Sequence, residues 1–291
     1  MTDAKLIKHL RDLTGAGFLD CKSALETNQN NIEESAKWLK SKGAIKATKK
    51  MERETNAGAI VVALSSDKKT ASMVEFQTET DFVTRNEIFQ NFARDVSKIA
   101  LNSDSIKQLM SSRLSSGEII EEKILEHIAI IGESIKIEQL KKISVRNGVV
   151  GFYVHNPIGN LVGNVAAAVA LECEKTDTDT LNKLEQLAQN LSVHVASMDP
   201  KYISPEQIPL ELLQQEENEI RNDDSYAKKP KHVIDKIIEN KISEFKTGLC
   251  LLFQDYILEQ SIKINELILS EEKALSSKIV VKDFVRFAIK R

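Results

Sequence analysis

Val74-Glu75-Phe76-Gln77-Thr78-Glu79-Thr80-Asp81-Phe82-Val83-Thr84-Arg85-Asn86 joins two kinds of periodicity. Met73, Glu75, Gln77 and Glu79 alternate with Val74 and Phe76, the period of a strand, and just after Arg85 the residues Ile88, Phe89, Phe92, Ala93 and Val96 recur at helical spacing. Thr80 to Val83 is therefore a strand-to-helix turn. Such turns project side chains from a rigid scaffold, and binding residues concentrate there. An isolated Phe in a turn commonly caps the local core. Phe82, set between Asp81 and Arg85-Asn86, is equally placed to meet a partner.

Working outward, residues 1–43 read as a three-helix unit. Leu6, Leu10 and Leu13 give one apolar stripe, the turn Gly15-Ala16-Gly17 follows, and Leu19, Ala24 and Leu25 lie on a second helix. Asn31 is placed to cap a third helix, with Glu33 and Glu34 in its first turn, Ile32, Ala36 and Leu39 on its buried face and Gly43 as its stop. Residues 44–56 read as a linker. Its Lys46, Lys49, Lys50 and Arg53 suit a solvated connector better than an RNA-contacting patch, because no aromatic residues are interleaved to stack on bases.

From Ala57 the pattern turns to strands, Ala59 to Leu64 and Ala71 to Gln77, followed by a helix ending near Leu101. A second amphipathic helix carries Ile119, Ile120, Ile124, Leu125 and Ile128. Ile135 to Val145 and Val149 to His155 are expected to pair about Asn147-Gly148, a favoured hairpin dipeptide. Leu161 to Cys173 is a further apolar strand, and Leu181 to Ser197 a helix. Phe89, Phe92, Ala93, Val96, Ser97 and Ile99 match Leu184, Leu187, Ala188, Leu191, Ser192 and His194 position for position, which suggests two related α/β subdomains. Residues 205–248 contain two polar helices. The second starts at Pro230 and carries Ile234, Ile237, Ile238, Ile242 and Phe245 on one face, and a polar break from Asn222 to Lys229 makes the pair a helical hairpin.

The order Thr80-Asp81-Phe82-Val83, then Arg85-Asn86 and Phe89, resembles the signature loop of bacterial elongation factor Ts. Leu10-Arg11-Asp12-Leu13-Thr14-Gly15-Ala16-Gly17-Phe18-Leu19-Asp20-Cys21-Lys22-Ser23-Ala24-Leu25 and Gly43-Ala44-Ile45-Lys46-Ala47 are similar to that family's opening domain. Further similarities run through Lys229-Pro230, Ile234, Lys236-Ile237, Leu251-Leu252-Phe253-Gln254 and Phe284-Val285-Arg286-Phe287. The chain stops at Arg291, where the family continues with a Gly-Glu-Gly stretch, so any contact made by that tail is in doubt.

The resemblance implies an α+β protein: an N-terminal ubiquitin-associated-like domain (1–43), a linker (44–56), core subdomain N (57–145), core subdomain C (146–204 and 249–291) with small antiparallel sheets, and an inserted antiparallel coiled coil (205–248). It implies guanine-nucleotide exchange on elongation factor Tu, in GDP-bound and nucleotide-free forms. Asp81 and Phe82 would dislodge magnesium from the partner, Thr80 and Val83 would shape the turn, and Leu13, Gly15, Gly17 and His194 would add partner contacts. Without the resemblance, a helix histidine beside Leu191 and Val195 is more often a satisfied core residue.

Composition bounds the other possibilities. Lys plus Arg number 40 against 43 Asp plus Glu, a net charge of -3 that gives no global pull toward nucleic acid or anionic membrane. Cys21, Cys173 and Cys250 show no zinc-binding spacing and read as reduced core residues. No phosphate loop, dinucleotide fingerprint, His-Glu-x-x-His pair or nucleophile elbow occurs. The expectation is a non-catalytic, cytoplasmic protein with no metal or cofactor of its own, no membrane segment and no direct nucleic-acid contact; an RNA-binding ribosome-associated protein is the alternative.

Overall fold

The computed structural model describes residues 3–226 and 229–289. Three helices open the chain, α1 (Ala4–Thr14), α2 (Phe18–Thr27) and α3 (Ile32–Met51). Asp3 caps α1 by accepting from the Lys5 N–H, and Asn31 caps α3 by accepting from the Glu34 N–H. Ile7, Leu10, Cys21, Ala24, Leu25 and Leu39 make the small core of this unit. The buried face of α1 thus runs through Ile7 and Leu10. Leu13 and Leu19, expected on the apolar stripes, stand 61% and 78% exposed.

Helix α3 also corrects the expected stop at Gly43 and the linker that was to follow. It runs through Gly43 to Met51, because that glycine serves a helix crossing. A Cβ there would lie 3.3 Å from the Cβ of Ala129, in helix α7 (Ile120–Ile131). Beyond the crossing, Ala47 is fully buried with Ile124 and Ile128 in the first core cluster. Only residues 52–56 connect helix to strand.

The rest of the chain builds one unit twice. The first copy has the hairpin β1 (Ala57–Leu64) and β2 (Thr70–Thr78), helices α4 (Asp81–Arg85), α5 (Glu87–Ala100), α6 (Ile106–Ser111) and α7, and strand β3 (Ile135–Ser144). The second has β4 (Gly148–Gly159), β5 (Val162–Cys173), α8 (Thr178–Met198), α9 (Leu210–Arg221), α10 (Lys231–Leu249), α11 (Ile264–Leu275) and β6 (Ile279–Ala288).

The equivalence holds residue by residue. Thr78 pairs with Ile135 and Thr70 with Ser144; in the second copy Cys173 pairs with Ile279 and Val165 with Ala288. The register slips between Glu75 and Phe76 in one copy and between Ala170 and Leu171 at the same place in the other. Helix α11 and strand β6 reproduce α7 and β3 in length, and the greater chain length between α8 and α11 accommodates the inserted pair α9 and α10.

The copies share one antiparallel sheet of order β3-β2-β1-β5-β4, with β6 also on β5. They meet edge to edge at Ile60–Gly163 and Val61–Val162, with the Val62 N–H donating to the Leu161 carbonyl at 3.1 Å beyond them. This short junction lets the sheet curl, so that Ile60, Met73, Val150, Ala168 and Phe287 form a cluster common to both halves. On the helical faces, Phe76, Phe89, Phe92 and Ile124 fill the first copy, and Leu171, Leu184, Leu191 and Ile268 the second. Phe76 meets Phe89 edge to face at 5.6 Å.

The expected pairing about Asn147-Gly148 does not occur. Strand β3 pairs with β2, and β4 with β5. Gly148 is required for a different reason: its φ is 147°, and a Cβ would fall 1.9 Å from the Leu171 carbonyl oxygen. The α9–α10 hairpin is present, with Ile220 and Ile238 buried and Arg221 paired to both Glu217 and Asp235. Its expected polar break from Asn222 to Lys229 lies partly outside the described residues. No helix among the described residues is long and apolar enough to cross a membrane.

Candidate partner-docking site

At the end of β2, burial alternates sharply over a few residues. Thr78, Val83 and Thr84 are buried, Glu79 and Thr80 half-buried, and Asp81 and Phe82 exposed. Val83 sits in the first core cluster and anchors the one-turn helix α4. Phe82, one position earlier, points away from that anchor and is 77% exposed, so it does not cap the core. Asp81 reaches Arg85 only at 3.7 Å between exposed side chains, an arrangement worth little.

The turn is closely fastened. Glu133 accepts from the Thr80 N–H at 3.0 Å and from the Thr80 hydroxyl at 2.9 Å. In the opposite direction, Glu79 accepts from the Ser134 N–H at 2.7 Å. Thr78 Oγ1 donates to the Thr80 carbonyl, and Thr84 Oγ1 to the Asp81 carbonyl. Gln90 Nε2 bridges the carbonyls of Thr84 and Ile158, in space that Gly159 leaves by having no Cβ. Arg53 Nη1 reaches Glu79 at 3.3 Å and Lys50 Nζ donates to the Gly132 carbonyl at 2.7 Å, tying the end of α3 to the same place.

A break in the helix sets the direction of Phe82. Asn86 leaves the helical conformation (ψ 129°), and its side chain accepts from the Ile88 N–H to start α5 afresh. The equivalent position in the second copy is Leu181, inside the uninterrupted helix α8. There the chain enters the helix through a plain Asp177 cap, with no exposed aromatic residue.

The other expected contacts divide. Leu13 is exposed, Gly15 closes α1 with φ 68°, and Gly17 opens α2. Phe18 and Leu19 stand exposed beside them. These two the sequence reading passed over as a surface, because helical spacing alone assigned Leu19 inward. His194 is elsewhere and fully buried. Its Nδ1 accepts from the Ile257 N–H at 3.2 Å, so Nε2 carries the proton and donates to Gln254 Oε1 at 2.9 Å; burial lowers its pKa. It is a satisfied core residue here, and its expected place as a surface contact does not fit this burial.

Among the described residues no three of His, Cys, Asp and Glu gather as a metal-binding group. The three cysteines are free and buried, and burial raises their thiol pKa values. One aromatic and one carboxylate side chain are thus held outward on a fastened turn.

A duplicated α+β core with a helical N-terminal domain and an inserted helical hairpin defines a narrow class. The family described as Elongation factor TS matches residues 79–291. Curated relatives named Elongation factor Ts are similar along nearly the full length. That of Rickettsia prowazekii is 34% identical over 286 residues, 98% of this chain and 91% of the relative. That of Orientia tsutsugamushi is 34% identical over 280 residues, 96% and 89%. That of Caulobacter vibrioides is 33% identical over 289 residues, 98% and 91%. The chain belongs to the elongation factor Ts family, and is thus a translation elongation factor.

Proposed function

We propose that this protein is a guanine-nucleotide exchange factor for elongation factor Tu, acting by contact and without covalent chemistry. The observation that carries the reading is Phe82, 77% exposed on a turn whose neighbours Val83 and Thr84 are buried. A large apolar side chain held in water on a rigid support is suited to burial in a partner, as interface anchors are. Leu13, Phe18 and Leu19 offer a second apolar contact from the N-terminal domain.

Exchange requires that the factor bind the nucleotide-free partner better than the GDP-bound one. Linkage then makes the effect reciprocal: the factor weakens GDP by the ratio by which GDP weakens the factor. Asp81 and Phe82 enter beside the partner's magnesium site, whose octahedral shell tolerates little distortion. Thr80 and Val83 hold the turn while the two exposed side chains act.

The alternative of an RNA-binding protein is less well supported. Of the four basic residues Lys46, Lys49, Lys50 and Arg53, three are engaged within the protein: Lys46 with Asp20, Lys50 with the Gly132 carbonyl and Arg53 with Glu79. The test is release of a fluorescent GDP analogue from elongation factor Tu, followed by stopped flow with wild-type and Asp81→Ala protein across magnesium concentrations. Acceleration by the wild type, with Asp81→Ala slower and more so at high magnesium, supports the function and the route. No acceleration by the wild type overturns the function; an Asp81→Ala defect independent of magnesium overturns the route.

A further inference from the structure

Taking the exchange reading as its basis, we propose that Glu133, with Glu79, is a positioning residue: a two-way carboxylate clamp that holds the Asp81-Phe82 turn in its projecting pose. The two copies of the core supply an internal control. In both, a backbone N–H two residues past the end of the strand is accepted by the side chain of the residue immediately after an αL helix cap, Gly132 of α7 in one copy and Ser276 of α11 in the other. Thr80 N–H donates to Glu133 at 3.0 Å in the first copy, and Lys175 N–H donates to Ser277 Oγ at 3.1 Å in the second. That bond, and the one from the strand-end side chain to the carbonyl of the same residue (Thr78 Oγ1 to Thr80, Cys173 Sγ to Lys175), belong to the common architecture.

The additions occur where the exposed aromatic is. Glu133 also takes the Thr80 hydroxyl, and Glu79 reaches back to the Ser134 N–H at 2.7 Å. Charged acceptors make stronger hydrogen bonds than neutral ones, and opposed carboxylates brace the turn from both sides. The second copy, whose turn carries a plain helix cap, has a serine in the place of Glu133, with Lys175 Nζ donating to the Leu275 carbonyl at 3.2 Å. Neither Glu79 nor Glu133 needs to touch a partner for this role. They fix the backbone from which Phe82 departs, and a small loss of placement at such a point reduces a rate steeply.

The experiment measures GDP-analogue release from elongation factor Tu over a range of factor concentrations, for wild type, Phe82→Ala, Glu133→Ala, Glu133→Gln and Ser277→Ala, alone and with each Glu133 and Ser277 change combined with Phe82→Ala, alongside melting curves. Glu133→Ala is expected to lower the maximal release rate roughly tenfold. Glu133→Gln, which keeps an acceptor for Thr80, recovers most of it. In the Phe82→Ala background Glu133→Ala costs much less than in the wild type, since only Asp81 is then left for the clamp to place, whereas Ser277→Ala shifts only the melting temperature in either background. A full-rate Glu133→Ala protein, or losses that multiply in the double variant, overturns the clamp. If Glu133→Ala does not fold, Glu79→Ala, which removes the opposite arm of the clamp, decides by the same double-variant comparison. A Phe82→Ala protein with wild-type release would instead overturn the reading of Phe82 as the anchor, and the two failures are read separately.

Discussion

Phe82 separates folding from function most cleanly. Because it is largely exposed, Phe82→Ala is expected to leave the melting temperature almost unchanged while removing an anchor of about 2 kcal/mol or more, roughly a thirtyfold loss of exchange efficiency. Unaltered exchange by the folded variant would sink that expectation. Two buried histidines make an opposite prediction, on stability alone. His127 packs 4.5 Å from Phe92 with its Nδ1 unpartnered among the described residues, and burial, with nearby Lys123, lowers its pKa against the opposing pull of Glu126 and Glu118. His194 is lowered by burial too. Below the ordinary value of 6.5 the unfolded chain therefore binds more protons than the folded one, so stability present above that pH falls with acidification until the folded values are passed. Melting curves between about pH 7.5 and about pH 5 should show this decline, flattened in His127→Leu. The turn was legible in the sequence because two periodicities meet there. The burial of His194 was not, since its partners Gln254 and Ile257 lie far along the chain.

Helix α8 and the pair α4–α5 are the same element with and without a break. Asn86→Leu, which installs the side-chain type of Leu181, is expected to join α4 to α5 and draw residue 82 back toward the protein. With Phe82→Trp as reporter, emission should shift to shorter wavelength and exchange should fall; an unchanged spectrum and rate would remove Asn86 from this role. Among its described residues the α9–α10 hairpin buries only Ile220 and Ile238, so replacing Asn218 to Val233 with a short Gly/Ser link should preserve the cooperative melt. Loss of that melt would show the hairpin to be part of the core. Long amphipathic elements such as α5 and α10 were readable from spacing. The missed features have local causes: α6 is a helix of only six residues, and both Gly43, against the Ala129 side chain, and Gly148, against the Leu171 carbonyl, serve close approaches that in sequence resemble a stop and a turn.

The N-terminal unit has a core of six buried residues, among which Leu10 is fully enclosed, so Leu10→Ala, at about 2–5 kcal/mol, should unfold it before the duplicated core. Two melting steps are the expected result, and one step in both proteins would argue that the units melt together. Removing residues 1–43 should leave a folded core with weakened partner binding. Removing residues 1–56 should lower the core's melting temperature further, because Ala47 and Met51 then leave the first cluster. Equal stability of the two truncated chains would contradict the packing of α3 across α7. The pairing of copies was suggested by matched positions in α5 and α8. The equivalence of α7–β3 with α11–β6 escaped, because the inserted hairpin changes the spacing between copies.

Helix α3 also works as a gauge. One end packs in the N-terminal domain through Leu39, the other lies against α7 at Gly43 and Ala47, and no flexible joint intervenes. Reach and heading of the two apolar contacts are therefore coupled like graduations on a rod. One residue inserted between Leu39 and Gly43 would swing the N-terminal domain by about 100°, while seven would restore the heading but lengthen the rod by roughly 10 Å. If both contacts engage one partner at once, neither chain should recover wild-type affinity, though each keeps both binding surfaces intact.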